Sequence, residues 1–126
     1  DDRYYPKSQD IVVFTAPPKA VEMIEADPDD LFVKRVVALP GQKVSIREGH
    51  VLVNNIPLVE DYINATADYR WGPQLVPPNE YFVLGDNRRA SADSHIWGFL
   101  PRKYIVGEAY KIYWPAERVR SLQRRP

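Results

Sequence analysis

The chain has 126 residues, 44% of them hydrophobic, with 17 basic and 17 acidic side chains. That size suits one domain with a modest core, and the balanced charge argues against nucleic-acid binding, which goes with a basic excess. The absence of cysteine excludes disulfides and thiolate chemistry, and no run reaches the ~20 apolar residues of a membrane helix.

Twelve prolines leave little room for long helices, and short β-branched runs dominate. "DIVVF" (10–14) reads as a strand. "TAPPKAVEMIEADPDD" (15–30) is a proline-opened acidic insertion with a helical turn around "AVEMIEA". "LFVKRVVALPG" (31–41) is a strand closed by a Pro-Gly turn. "QKVSIREGHVLVNNIPLVE" (42–60) reads as a meander that turns at Glu48-Gly49 and Asn54-Asn55, where positive φ is tolerated.

Residues 61–78, rich in Tyr, Pro and Asn, read as a long packed loop; its "YRWGPQL" has a second reading as an aromatic contact with lipid. "EYFVLG" (80–85) is a strand, Pro101 to Tyr104 a short helical turn, and "IVGEAYKIYWP" (105–115) a last strand. The "RVRSLQRRP" tail reads as solvated. The fold class is all-β, mainly antiparallel, with long loops and little helix.

Two features point to chemistry. In "LFVKRVVALP", alternation puts Phe32, Lys34, Val36 and Ala38 on one face and Leu31, Val33, Arg35, Val37 and Leu39 on the other. Each face is apolar except for one cation, as in a strand buried on both sides. Arg35 cannot lose its proton and needs an acid, for which Asp86 and Asp93 are candidates. Lys34 can lose its proton: desolvation lowers its pKa and leaves an amine able to act as a base beside a serine. The plainer alternative is a lysine that snorkels out at a strand edge.

The second feature is "GDNRRASADSHIWG" (85–98), a polar loop directly after an apolar strand. It suits a buried hydrogen-bond hub, in which Ser91 or Ser94 aims the Lys34 amine. Asp86, Asn87, Asp93 and His95 are also metal donors, but their spacing matches neither a calcium loop nor a zinc site.

In their order, "DIVVF", "FVKRVVALPG" and "GDNRRASADSHIWG" resemble three sequence boxes of type I signal peptidases, membrane-anchored Ser/Lys endoproteases that remove signal peptides from exported proteins. "DSHIWGFLP" and the acidic insertion are most similar to the cyanobacterial and plastid thylakoid branch. The resemblance spans residues 10 to 115 and implies the following roles. Lys34 is the general base and Ser91 the hydroxyl that orients it. Asp93 is the loop carboxylate that in the family pairs with an arginine two positions on, here His95. Gly85, Asp86, Asn87 and Arg88 complete the loop, and Arg35 bridges to Asp86. Val13 and Val33 wall shallow pockets for small side chains before the cut.

The resemblance further implies preprotein signal peptides as substrates, cleavage after Ala-x-Ala, no metal or other cofactor and no nucleic acid. It places the protein on a membrane, with this domain on the extracytoplasmic side, in the periplasm or thylakoid lumen. The family's nucleophile lies in a Ser-Met-x-Pro-Thr box before the first of these strands, after the membrane anchor. The sole methionine, Met23, precedes Ile-Glu, and Ser8 does not fit that box. The expectation is therefore a single domain, residues 1–126, that lacks anchor and nucleophile and is inactive alone. A non-catalytic β-rich module that binds peptides or assists a peptidase is the alternative. A self-cleaving repressor-type domain would need a DNA-binding partner and a cleavable Ala-Gly segment, and neither is present.

Overall fold

The computed structural model describes residues 4–63 and 65–109. The last strand's continuation beyond 109 and the arginine-rich tail lie outside the described residues. Among the described residues, nine strands form two antiparallel sheets: β1 (Ile11–Thr15), β2 (Leu31–Ala38), β3 (Lys43–Arg47), β4 (His50–Val53), β5 (Ile56–Pro57), β6 (Trp71–Leu75), β7 (Glu80–Leu84), β8 (Leu100–Pro101) and β9 (Ile105–Glu108). The first sheet has the order β8-β7-β2-β1-β9 and the second β5-β4-β3-β6.

Local chemistry sets the connections. Proline opens α1 (Pro18–Ile24) at its first turn, where a missing N–H costs nothing, and Glu25 ends it in the left-handed region at φ 56°. Glu48-Gly49 joins β3 to β4 with φ 52° and 81°, and Asn54-Asn55 joins β4 to β5 with φ 52° and 68°. These two-residue turns with both φ positive match the right-handed strand twist. Both were expected from sequence.

Two elements differ from the expectation. Residues 61–78 contain β6, which pairs with β3 at the edge of the second sheet. Pro73 interrupts the strand signal there, but an edge strand tolerates a residue without an N–H. Trp71 faces inward, its ring 4.4 Å from that of Phe82 and 5.8 Å from that of Phe99. The polar loop, in turn, ends in a short helix, α2 (Ser94–Trp97), capped by Asp93.

β2 and β7 are buried on both faces, which explains their unbroken apolar runs. Val36 and Val83 join a core with Val12, Phe14, Phe32 and Trp97. Val37, Phe82 and Leu84 face the opposite way, into a core with Val44, Ile46 and Val51. Phe14 anchors the first core: it stacks on Phe32 at 5.6 Å and meets the Trp97 ring edge-on at 5.9 Å. Replacing it with alanine is expected to cost about 3–5 kcal/mol, because the fixed sheet on either side leaves the cavity unfilled. Urea denaturation of Phe14→Ala measures this, and a loss below about 1 kcal/mol would contradict the packing described.

Candidate active site

Lys34 sits in the middle of β2, opposite Val12 of β1, and is only 5% exposed. On the other side of β2, Arg35 pairs with Leu84, the last residue of β7. This register carries the chain straight from β7 into Gly85, alongside Lys34. A β-carbon built on Gly85 would lie 2.2 Å from Ser91 Oγ and 3.5 Å from Lys34 Nζ. The glycine is thus the floor on which the lysine and the serine meet.

Lys34 Nζ donates to Ser91 Oγ at 3.0 Å in a buried contact. Burial pushes the Lys34 ammonium down from its ordinary value, against the opposing pull of the Asp93 and Asp86 charges. Both carboxylates are engaged elsewhere. Asp86 accepts from Arg35 Nε and Nη2, both at 2.9 Å, in a bidentate pair. Asp93 accepts from the backbone N–H of Gly85 at 3.0 Å and of His95 at 3.1 Å, and also contacts His95 Nδ1. The amine is therefore left with a hydroxyl partner and a depressed pKa, the condition a lysine base requires.

The remaining loop residues tie this floor to its surroundings. Arg88, 1% exposed, donates from Nε to the Gly85 carbonyl at 2.7 Å. Ser94 Oγ accepts from the backbone N–H of Val83 at 2.9 Å, which fastens α2 to β7. Asn87 bridges to Ala65, and the neighbouring Arg88 N–H donates to the Ala65 carbonyl at 3.1 Å. Val13 and Val33 face each other across β1 and β2, buried, with the partly buried Ile11, Leu31 and Ala109 packed against them. Strand alternation sets them on the face away from Lys34. Ser8 is exposed and Ser45 lies on β3 in the other sheet, so neither approaches the lysine.

The scan against family models matches residues 3–114 to signal peptidase, peptidase S26. The chain belongs to this family. A signal peptidase I of Leptolyngbya laminosa is 44% identical over 117 residues, covering 93% of this chain and 57% of the relative. Thylakoidal processing peptidase 1, chloroplastic, of Arabidopsis thaliana is 44% identical over 116 residues, covering 90% of this chain and 34% of the relative. The chain thus spans little more than half the first relative's length and about a third of the second's. A crystal structure of a signal peptidase I from Enterococcus faecalis superposes with a TM-score of 0.66 at 27% identity, over 83% of this chain and 97% of that one.

Against this signal peptidase framework, sequence reading missed three contributors and misassigned a fourth. Glu60 holds Arg88 through two hydrogen bonds, at 3.0 and 2.6 Å. Tyr62 donates to Glu60 at 2.8 Å, and the Arg35 guanidinium lies 3.7 Å above its ring. Tyr69 stacks on His95 with centroids 3.9 Å apart. Ser94 was seen only as a candidate to aim the lysine; its structural partner is β7. The need for an acid was legible, since an arginine in a buried loop requires one and Asp86 was already assigned to Arg35, but nothing local pointed to Glu60. Among the described residues no cluster of three or more acids and histidines is arranged to hold a metal ion, and no helix is long and apolar enough to cross a membrane.

The depressed Lys34 pKa also sets a stability profile. The unfolded chain binds the lysine proton more readily than the native one, so Lys34 destabilises the fold below its native pKa. The penalty fades as pH rises from that lowered value towards the ordinary 10.5. Lys34→Met is expected to stabilise the protein at pH 7 by on the order of 1 kcal/mol, and to lose that advantage above about pH 10. Denaturation of both proteins across this pH range checks the sign, and a methionine variant less stable at pH 7 contradicts it.

Proposed function

We propose that these residues form the catalytic body of a signal peptidase I, in which Lys34 is the general base and Ser91 orients it. The observation that carries this reading is the buried Lys34 amine, depressed in pKa and hydrogen-bonded to Ser91 at 3.0 Å. A structural lysine would gain from a carboxylate partner, whereas a base must shed its proton near neutral pH.

In the proposed reaction a serine of the family's Ser-Met-x-Pro-Thr segment, presented to Lys34, attacks the scissile carbonyl of an extended signal peptide. Lys34 takes the hydroxyl proton and passes it to the leaving amine as the acyl-enzyme forms. The same amine then activates the water that releases the acyl group. Shallow apolar pockets, to which Val13 and Val33 are proposed to contribute, favour small residues before the cut. The domain is proposed to work on the extracytoplasmic side of a membrane; similarity to the Arabidopsis thylakoidal processing peptidase supports the thylakoid lumen as one such compartment.

The test is cleavage of a preprotein with an Ala-x-Ala site by the full-length protein. Lys34→Ala is expected to lower the rate at least ~100-fold, as removal of a general base does. Ser91→Ala is expected to lower it roughly 10-fold, the worth of one hydrogen bond. In the wild type the rate rises with pH through the lowered Lys34 pKa and then levels, because only the neutral amine accepts a proton. Wild-type rates from Lys34→Ala would remove the base and leave a non-catalytic peptide-binding module as the better reading.

A further inference from the structure

We infer that Glu60, which lies outside the polar loop and 28 residues before Arg88, is a positioning residue for the Lys34 amine, acting through Arg88 and the Gly85 peptide. The inference rests on Lys34 being the base.

The chain of contacts is short and rigid. The Glu60 carboxylate faces both terminal nitrogens of Arg88, with side chains only 6% and 2% exposed. A guanidinium is planar, so a carboxylate that fixes its two terminal nitrogens also fixes where Nε points. Here Nε points at the Gly85 carbonyl, 2.7 Å away. At the other end of the same residue, the Gly85 N–H is held by Asp93 Oδ2 at 3.0 Å. Between these two grips lies the bare α-carbon on which Ser91 and Lys34 meet. Movement of Arg88 is therefore movement of that floor.

A second route starts at the same carboxylate. Tyr62 donates to Glu60, its ring lies under Arg35, and Arg35 holds Asp86, the residue after Gly85. Glu60 thus reaches both arginines that fix the start of the loop, one directly and one through an aromatic ring. Burial pushes Arg88 down and the Glu60 bonds and charge more than reverse this, so the guanidinium stays charged and keeps its grip. Loss of the Glu60 charge would loosen the floor, admit water to Nζ and raise the Lys34 midpoint, since burial is what depresses it.

The experiment is a pH titration of the lysine ε-carbon NMR signals of the chain, with Lys34→Met assigning the Lys34 resonance. Glu60→Gln, which keeps the shape and loses the charge, is expected to move the Lys34 midpoint at least half of the way to the ordinary lysine value of 10.5. Arg88→Lys, which keeps the charge and loses the fork, is expected to do the same. Ile46→Val, a core change on β3 in the second sheet, is expected to leave the midpoint in place. Unmoved midpoints in the two folded site variants overturn the inference. So does an equal shift in Ile46→Val, which would mean general loosening. If Glu60→Gln does not fold, Arg88→Lys decides. Failure of both to fold makes Glu60 a folding determinant and also overturns it. Titration needs no cleavage, so the two readings fail separately: an active Lys34→Ala removes the base, whereas an inactive one beside unmoved midpoints removes only the role of Glu60.

Discussion

An amine that must be neutral cannot sit in open water, and one that is buried cannot be left beside a free carboxylate. Under the proposed role of Lys34 as base, much of the structure around it meets these two demands. β2 satisfies the first by burying both of its faces, one in each core. The polar loop satisfies the second. It brings two aspartates close enough for their charges to reach Nζ, yet each has its own donors: Asp86 the Arg35 fork, Asp93 two backbone N–H groups and the His95 ring. Had either carboxylate met Nζ directly, the pair would have held the proton on the lysine. A hydroxyl, able to donate or accept, occupies that place instead.

The histidine at position 95 follows the same economy of donors. In the resemblance noted from sequence this position is an arginine, whose charge is permanent. The structure supplies what the ring alone does not guarantee. Asp93 is the N-cap of α2 and accepts from the His95 backbone, and its other oxygen accepts from Gly85, so two of its bonds are indifferent to ring protonation. Tyr69 holds the ring from its open face. The carboxylate thus stays satisfied whatever the imidazole carries, and position 95 needs no fixed cation.

What the sequence disclosed depended on the range of the interaction. Turns are set by two residues, and Glu48-Gly49 and Asn54-Asn55 were legible as such. The misplaced cations of β2 were legible because alternation is local, and their need for partners in the polar loop followed from charge alone. The route from Arg88 to Glu60 was not legible: it depends on how Glu60 and Tyr62 come to lie against the loop, which no periodicity encodes. β6 was hidden by Pro73, whose missing N–H is harmless only because the strand lies at a sheet edge. Neither the family boxes nor local spacing include Glu60, Tyr62 or Tyr69, yet these side chains cover the site.

Register shows why two adjacent cations belong in β2. A strand with one apolar face is guarded against slippage, since a shift of one residue would turn that face to water. β2 lacks this guard, because both of its faces are apolar and both are buried. Exchanging the faces would cost the Phe14–Phe32 stack, but among the valines it would change little: Val33, Val36 and Val37 are nearly interchangeable. It would change the ions a great deal. Arg35 would enter the pocket of Ser91, where its charge cannot be shed, and Lys34 would face Asp86 without the fork that satisfies both carboxylate oxygens. The arginine therefore specifies which face the lysine occupies, and the pair does for this strand what an amphipathic pattern does for others. The residue proposed as the base is placed by the neighbour that cannot take that role.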